Sequence, residues 1–249
     1  MRLLKYWICF CALAALAACA PETANVPPVT APTAALPATV AVVSLMESQL
    51  HLQAYGLTAF EVSSAKCDLS FDLNKLLRES ARQTIAADPR FRYVDATYDS
   101  TTLQGVHDSL GQAPGSRFLS SVFQSEDPIQ RLQPIAQASG ARMVVVIADF
   151  NTEPALNYFI HGVGLFRKTF LGAKMGSYLY VNVKLAVFDS RLSKEVKEEQ
   201  HPLGKKVDDE LWADDCGSIT APRREQIETT LKQVVREQMP AALQNLTVG

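Results

Sequence analysis

YLYVNVKLAVFD, residues 178–189, is the stretch on which the fold turns. Leu179, Val181, Val183, Leu185 and Val187 alternate with Tyr180, Asn182 and Lys184. That is the period of two by which a strand sends successive side chains to opposite faces. A turn at Ser190–Ser193 leads to a returning strand near Lys194–Glu199. Upstream, RMVVVIAD at 142–149 follows Gly140 as an unbroken apolar run, the pattern of a strand buried on both faces. TVAVVSLM at 39–46 is β-branched and apolar in the same way and reads as a first buried strand. A second extended stretch covers His51–Ser63, with Gly56 marking a bend or bulge, and a short strand covers Phe91–Val94.

Helical periodicity fills the intervals. Asp72 is placed to cap a helix with Leu73, Leu76, Leu77, Ala81 and Ile85 on one face, and Asp88-Pro89 stops it. A second helix spans Pro128–Ser139, with Ile129, Leu132, Ile135 and Ala136 on one face. A third runs from Pro222 to Met239 with Ile227, Leu231, Val234 and Val235 facing in, and Pro240 kinks or ends it. Residues 96–125, with Gly105, Gly111, Pro114 and Gly115, read as a long irregular excursion. The order predicts an α+β fold, a mixed sheet with helices packed mainly on one face, forming a single domain over 39–249.

The amino terminus carries an address. Arg2 and Lys5 precede an apolar run from Trp7 to Ala15, too short to span a bilayer but suited to a signal segment. It ends in Leu16-Ala17-Ala18-Cys19, which resembles the lipobox of bacterial lipoprotein precursors. The resemblance implies removal of residues 1–18 and diacylglyceryl attachment to the Cys19 sulfur. With Ala20 rather than Asp in the next position, it also implies an outer-membrane lipoprotein facing the periplasm. Residues 20–38 hold Pro21, Pro27, Pro28, Pro32 and Pro37 among Ala, Thr and Val. A polyproline II tether of that length reaches roughly 55–60 Å at ~3.1 Å per residue.

Net charge is −2 at pH 7 and no basic run occurs, which argues against nucleic acid as a partner. Cys9 and Cys11 lie in the signal segment, leaving Cys67 and Cys216 besides the anchor. In an exported domain two such cysteines favour pairing, a bridge that chain entropy values at about 4–5 kcal/mol. Two unpaired or metal-binding thiols are the alternative.

GARMVVVIADF at 140–150 and YVNVKLAVFDSRLSKEV at 180–196 resemble the αβ domains of CsgG, LpoB and the TolB amino-terminal domain. In those a helix precedes a Gly-Ala-Asp and apolar strand, and a later strand ends in Asp and a tight turn. Here Arg142 stands in the Asp position and the turn lacks its Gly. VAVVSLMESQLHLQAYGLTAF at 40–60 is similar to uncharacterised proteobacterial lipoproteins. These resemblances imply a fold and a compartment.

Asn157–Tyr180 stands out locally. Tyr158, Phe159, Phe166, Phe170, Tyr178 and Tyr180 cluster around Gly162, Gly164, Gly172 and Gly176, with Arg167, Lys168 and Lys174 interspersed. An exposed aromatic hairpin is expected to contact a partner, a lipid or the membrane interface, through Tyr158, Phe159, Phe166, Arg167 and Phe170. The alternative is a glycine-flexed hairpin whose rings complete the core. GVGLFR lacks the third glycine of a dinucleotide fingerprint.

Asp208, Asp209, Glu210, Asp214 and Asp215 lack calcium-loop spacing and read as a solvated loop. His51, His107, His161 and His201 show no paired ligand spacing, and Ser116 has no assignable base. No catalytic residue, metal site or cofactor is therefore assigned.

The expected role is non-catalytic: docking, assembly or regulation in the cell envelope, attached to the membrane by the amino-terminal lipid and meeting an envelope protein. A carrier or sensor of a hydrophobic ligand is the alternative, and a hydrolase built on Ser116 or a histidine a third class. Cys19→Ala is expected to abolish incorporation of labelled acyl chains and leave the precursor uncleaved; unchanged labelling would defeat the anchor assignment.

Overall fold

The computed structural model describes residues 36–56, 63–99, 101, 128–152, 160–170, 173–191 and 194–247. The reading of β-branched runs as strands leads directly to β1 (Ala38–Leu45) and β2 (Gln49–Tyr55), separated only by Met46–Ser48. β3 (Ser63–Asp68) returns antiparallel on β2. Helix α1 (Leu73–Ala86) crosses to β4 (Phe91–Tyr93), which pairs parallel with β1. After α2 (Pro128–Ser139) come β5 (Met143–Asp149), the short β6 (Asn151–Thr152) and β7 (Ile160–His161), and the hairpin of β8 (Val163–Phe170) and β9 (Ala173–Asp189). β10 (Lys194–Val207), a 3-10 turn at Asp209–Leu211 and α3 (Ala221–Thr247) complete the chain.

The eight-stranded sheet has the order β3-β2-β8-β9-β5-β1-β4, with β10 paired to β9, while β6 and β7 pair with each other. β9 explains that order. One edge of it serves two strands in tandem: Val183–Asp189 pairs with β5 and Ala173–Val181 with β8. β10 runs antiparallel along the opposite edge. β1 lies parallel to β5, and β2 parallel to β8. Asn182 falls between the two half-sheets, where Asn151–Thr152 and Ile160–His161 pair with each other off the main sheet. There Asn182 holds the returning chain, its amide donating to the Gly162 carbonyl at 2.7 Å and its Nδ2 to the Ile160 carbonyl at 3.2 Å.

α1 and α3 cover one face. Leu73, Leu77, Ala81 and Ile85 of α1 and Ile227, Leu231, Val234 and Val235 of α3 meet Val40, Val42, Leu52, Leu165, Leu179, Val181, Val183 and Leu185 in the main core. α2 covers the other face of the β1–β5–β9 half, where Leu132, Ile135 and Ala136 pack on Val43, Val144, Val146 and Phe188. The helices therefore lie mainly on one side, and the central strands are buried on both. α1 begins as its sequence dictates, with the Asp72 carboxylate accepting the Lys75 amide at 2.9 Å.

Several boundaries differ from the sequence reading: the stretch expected over His51–Ser63 is β2 at Gln49–Tyr55, and β3 at Ser63–Asp68 has no counterpart in that reading. β10 continues to Val207 rather than Glu199, and β9 begins at Ala173 rather than Tyr178. α3 passes through Pro240 to Thr247. Ala242 and Leu243 beyond it are buried in the core, a gain of the same order as the ~3 kcal/mol an internal proline costs. The 96–125 excursion lies almost wholly outside the described residues.

Two local devices fix the joint between the half-sheets. Asn74 on α1 accepts from Ser44 Oγ at 2.7 Å and from the Met46 amide at 2.8 Å, and donates to the Met46 carbonyl at 2.9 Å. The break between β1 and β2 thus keeps its hydrogen bonds. Gly164 permits the close approach of β8 to β2, since a Cβ there would lie 2.0 Å from the His51 carbonyl oxygen and 2.7 Å from Tyr180 Oη. Cys67 on β3 and Cys216 before α3 form a disulfide with a Cα–Cα distance of 5.5 Å across 149 residues. Asn74→Ala is expected to lower unfolding free energy by about 1–3 kcal/mol in urea titrations; an unchanged midpoint would show that the clamp contributes nothing.

Candidate functional site

In the half-sheet of β2, β8 and β9, strand alternation divides the side chains between two unlike faces. Val163, Leu165, Leu179 and Val181 point to the helices and are core. The opposite face carries His51, Gln53 and Tyr55 on β2, Gly164, Phe166 and Lys168 on β8, and Tyr178, Tyr180 and Asn182 on β9, with Lys184 continuing it where β9 meets β5. His51, Gln53, Tyr180, Asn182 and Lys184 are buried although polar.

Such groups persist only when hydrogen-bonded. Tyr180 Oη donates to Gln53 Oε1 at 2.9 Å. Burial pushes the Tyr180 hydroxyl well above its ordinary range, and the neighbouring Tyr55 adds to that, so it remains a donor through neutral pH. Lys184 Nζ pairs with Glu198 at 2.8 Å. Glu47, in the joint between β1 and β2, receives His51 Nε2 at 2.9 Å and Lys66 Nζ at 2.8 Å.

At the far end the same face becomes aromatic. Tyr55, Phe166 and Tyr178 lie side by side on three adjacent strands, with ring centroids 5.5 Å and 6.4 Å apart. Phe166 packs against a small cluster of Tyr55, Ile160 and Tyr180, spacing suited to tilted aromatic contact. Outward from this ladder, Tyr178 is 40% and Met175 55% exposed. Lys168, Lys174 and Lys206 are exposed around them.

Arg167 turns the other way. It is buried beneath the helix face with its guanidinium 4.5 Å from the Trp212 ring, and it bonds to Ser177 Oγ at 3.5 Å and the Asp209 carbonyl at 3.4 Å. Burial draws its pKa down, opposed by the charges of Asp209 and Asp214. Ser177 Oγ donates to Asp209 Oδ1 at 2.7 Å, and Trp212 Nε1 to Asp214 Oδ1 at 2.9 Å. Members of the expected solvated acidic loop thus also hold Trp212 against the arginine.

Of the five expected contact residues, Phe166 and Arg167 therefore stand on opposite faces. Phe170 contributes backbone to β8, and Tyr158 and Phe159 lie outside the described residues. Tyr55 and Trp212 are the members that sequence reasoning missed. No periodicity within 49–55 foretells a parallel neighbour more than a hundred residues away.

Among the described residues no group of three or more His, Cys, Asp and Glu is placed to hold a metal ion. His201 pairs with Glu199 at 3.1 Å. Ser70 donates its hydroxyl and, at 2.8 Å, its amide to the buried Glu228 carboxylate, an arrangement that anchors the loop to α3. Ser116 and His107 lie outside the described residues.

No protein-family model and no curated protein matches the chain. Solved structures with some likeness include the hypothetical protein CT253 from Chlamydia trachomatis, at TM-score 0.40 and 10% identity over 83% of this chain and 95% of that one. The LpoB C-terminal domain from Salmonella enterica has TM-score 0.28 and 10% identity, covering 70% and 87% respectively. Lipoprotein GNA1162 from Neisseria meningitidis has TM-score 0.28 and 16% identity, covering 78% and 99%. At such TM-scores these likenesses carry no argument about role.

The Glu47 bridge has a pH signature. Burial alone would raise this carboxyl, but hydrogen bonds from Lys66 and His51, and their charges, outweigh it and hold it below its ordinary value. A depressed carboxyl stabilises the fold above the unfolded-state value, near pH ~4.3, and loses that contribution as pH falls through the folded value. Glu47→Gln is therefore expected to flatten the acid limb of stability against pH below about 4.3 while removing stability at pH 7. Parallel curves for variant and parent would remove Glu47 from the account.

Proposed function

We propose that the chain is a lipid-anchored, non-catalytic docking or assembly protein of the bacterial envelope, carried at the outer membrane on Cys19 and the tether of residues 20–38. The Leu16-Ala17-Ala18-Cys19 stretch supports the address. The Cys67–Cys216 disulfide supports an oxidising compartment, where such bonds form and persist. Release by the tether leaves a domain able to reach a target away from its own membrane.

The observation that carries the docking role is the Tyr55–Phe166–Tyr178 ladder. It ends a polar, hydrogen-bonded sheet face in three aligned rings, the outermost of them exposed. Partly wet aromatic rings on a rigid strand scaffold supply contact area at little conformational cost. Packing of Phe166 against Tyr55, Ile160 and Tyr180 favours a contact surface over a ring that roofs a ligand cavity. An envelope protein is the proposed counterpart of the ladder.

A photocrosslinking residue in place of Phe166, activated in cells producing the full chain, tests this. One discrete protein adduct is expected. Adducts confined to the chain itself would sink the docking role, and a lipid adduct without a protein adduct would favour carriage or membrane contact instead.

A further inference from the structure

We infer that the end of the β8–β9 hairpin is an accessory membrane contact, seating Met175 and Tyr178 in the headgroup layer of an anionic phospholipid surface with Lys168, Lys174 and Lys206 against the phosphates. The contact goes beyond the docking role and does not depend on which protein meets the ladder.

The first ground is position. β2 ends its pairing at Tyr55 with Lys168, and β10 ends at Val207 with Ser177. Beyond Lys168, which pairs with Gly176, Thr169–Phe170 and Ala173–Lys174 therefore pair only with each other, and Met175 sits in the irregularity between them. Among the described residues they extend beyond the last pairs of β2 and β10.

The second ground is charge. Every residue from Pro154 to Phe188 is neutral or basic, in a chain that holds 26 acids against 24 lysines and arginines. Lys168, Lys174 and Lys206 form no ion pair among the described residues. Of the acids that follow Lys206, Asp209 and Asp214 are taken up by Ser177 and Trp212 on the helix face, while Asp208 and Glu210 are exposed beyond the end of β10. The lysine stems are placed as well: a Cβ at Gly176, where φ is +121°, would lie 3.1 Å from Lys206 Cε, so the bare glycine lets that stem lie along the hairpin.

The third ground is the side chains themselves. Met175 and Tyr178 are two of the most exposed large apolar residues described. A tyrosine with one wet edge beside lysines that extend their charge outward is the composition of a membrane interface. Each lysine near an anionic surface raises affinity about fivefold. Three give an attachment too weak to hold the protein alone, but sufficient to orient a domain already tethered.

The test uses the full chain with Met175→Trp and brominated phosphatidylcholine vesicles, with or without about one third phosphatidylglycerol. Emission of the parent chain, which includes buried Trp212, is subtracted. Quenching at 175 is expected with phosphatidylglycerol and several-fold less without it. Lys168→Gln with Lys174→Gln is expected to weaken the apparent affinity about thirtyfold. Glu79→Trp, on the exposed side of α1, is expected to stay unquenched. Quenching of neither probe, of both equally, or without regard to phosphatidylglycerol would overturn the membrane contact. Absence of quenching at 175 together with a protein adduct at Phe166 would assign the lysines to an acidic protein surface. Acyl analysis of the same sample tests the anchor separately, so failure of the address and failure of the hairpin contact are told apart.

Discussion

The rest of the structure depends on β9 being held along both edges and covered on both faces. Its register commits β5 and β8 to one edge and β10 to the other, and a strand fixed in that way cannot slip by one residue without exchanging its two faces. Those faces are not interchangeable here. Leu179, Val181, Val183 and Leu185 belong to the helix-covered core, whereas Tyr180, Asn182 and Lys184 find hydrogen-bond or ion-pair partners only on the opposite side. A slip would bury lysine and asparagine against α3 without partners, at several kcal/mol. The polar residues of β9 therefore select the register as strongly as the valines do.

The same economy governs the exposed borders of the sheet. Gln238 of α3 donates to the Gly204 carbonyl at 3.0 Å and accepts the Gly204 amide at 2.9 Å, taking the place of a neighbouring strand on the outer edge of β10. Pro202, two residues away and so on that same edge, has no N–H to offer. At the opposite border Arg224 Nη1 donates to the Asp68 carbonyl at 3.1 Å, and the Cys67–Cys216 bridge secures β3 to the loop before α3. Edge pairing with another chain is thus discouraged along β10 and β3.

What could be read in the sequence was what one element decides alone. The Asp72 cap and the Leu73, Leu77, Ala81, Ile85 stripe define α1 without reference to the rest of the chain, and the apolar run at 143–149 could only be a strand covered twice. Elements made by their neighbours were illegible. SSAKCD at 63–68 has no strand pattern, and it is a strand because β2 templates it and Cys216 ties it down. The polar second half of β10 and the helix beyond Pro240 persist for similar reasons, pairing with β9 in one case and burial of Ala242 and Leu243 in the other. In the candidate site, the wealth of rings and glycines was visible, but their faces were not. Arg167 looked like a member of the aromatic surface until its opposite-facing stack on Trp212 separated it from Phe166.

The two half-sheets explain why the aromatic face exists at all. β1 pairs with β5 and β2 with β8, yet the second register is ten residues longer than the first. Had β5 and β8 been continuous, the sheet beyond Asn182 would have carried on beneath the cover that α2 gives to the first half. Instead β6 and β7 pair with each other off the main sheet, and Ile160 of β7 packs against Tyr55 and Tyr180. A helix-covered apolar face on the first half thus gives way, across a single strand position, to a face of hydrogen-bonded polar groups and rings on the second. Side chains that a helix would have required to be aliphatic are free to be tyrosine, phenylalanine and lysine. The insertion at Asn182 therefore separates the part of the sheet that stabilises the domain from the part that can address another surface.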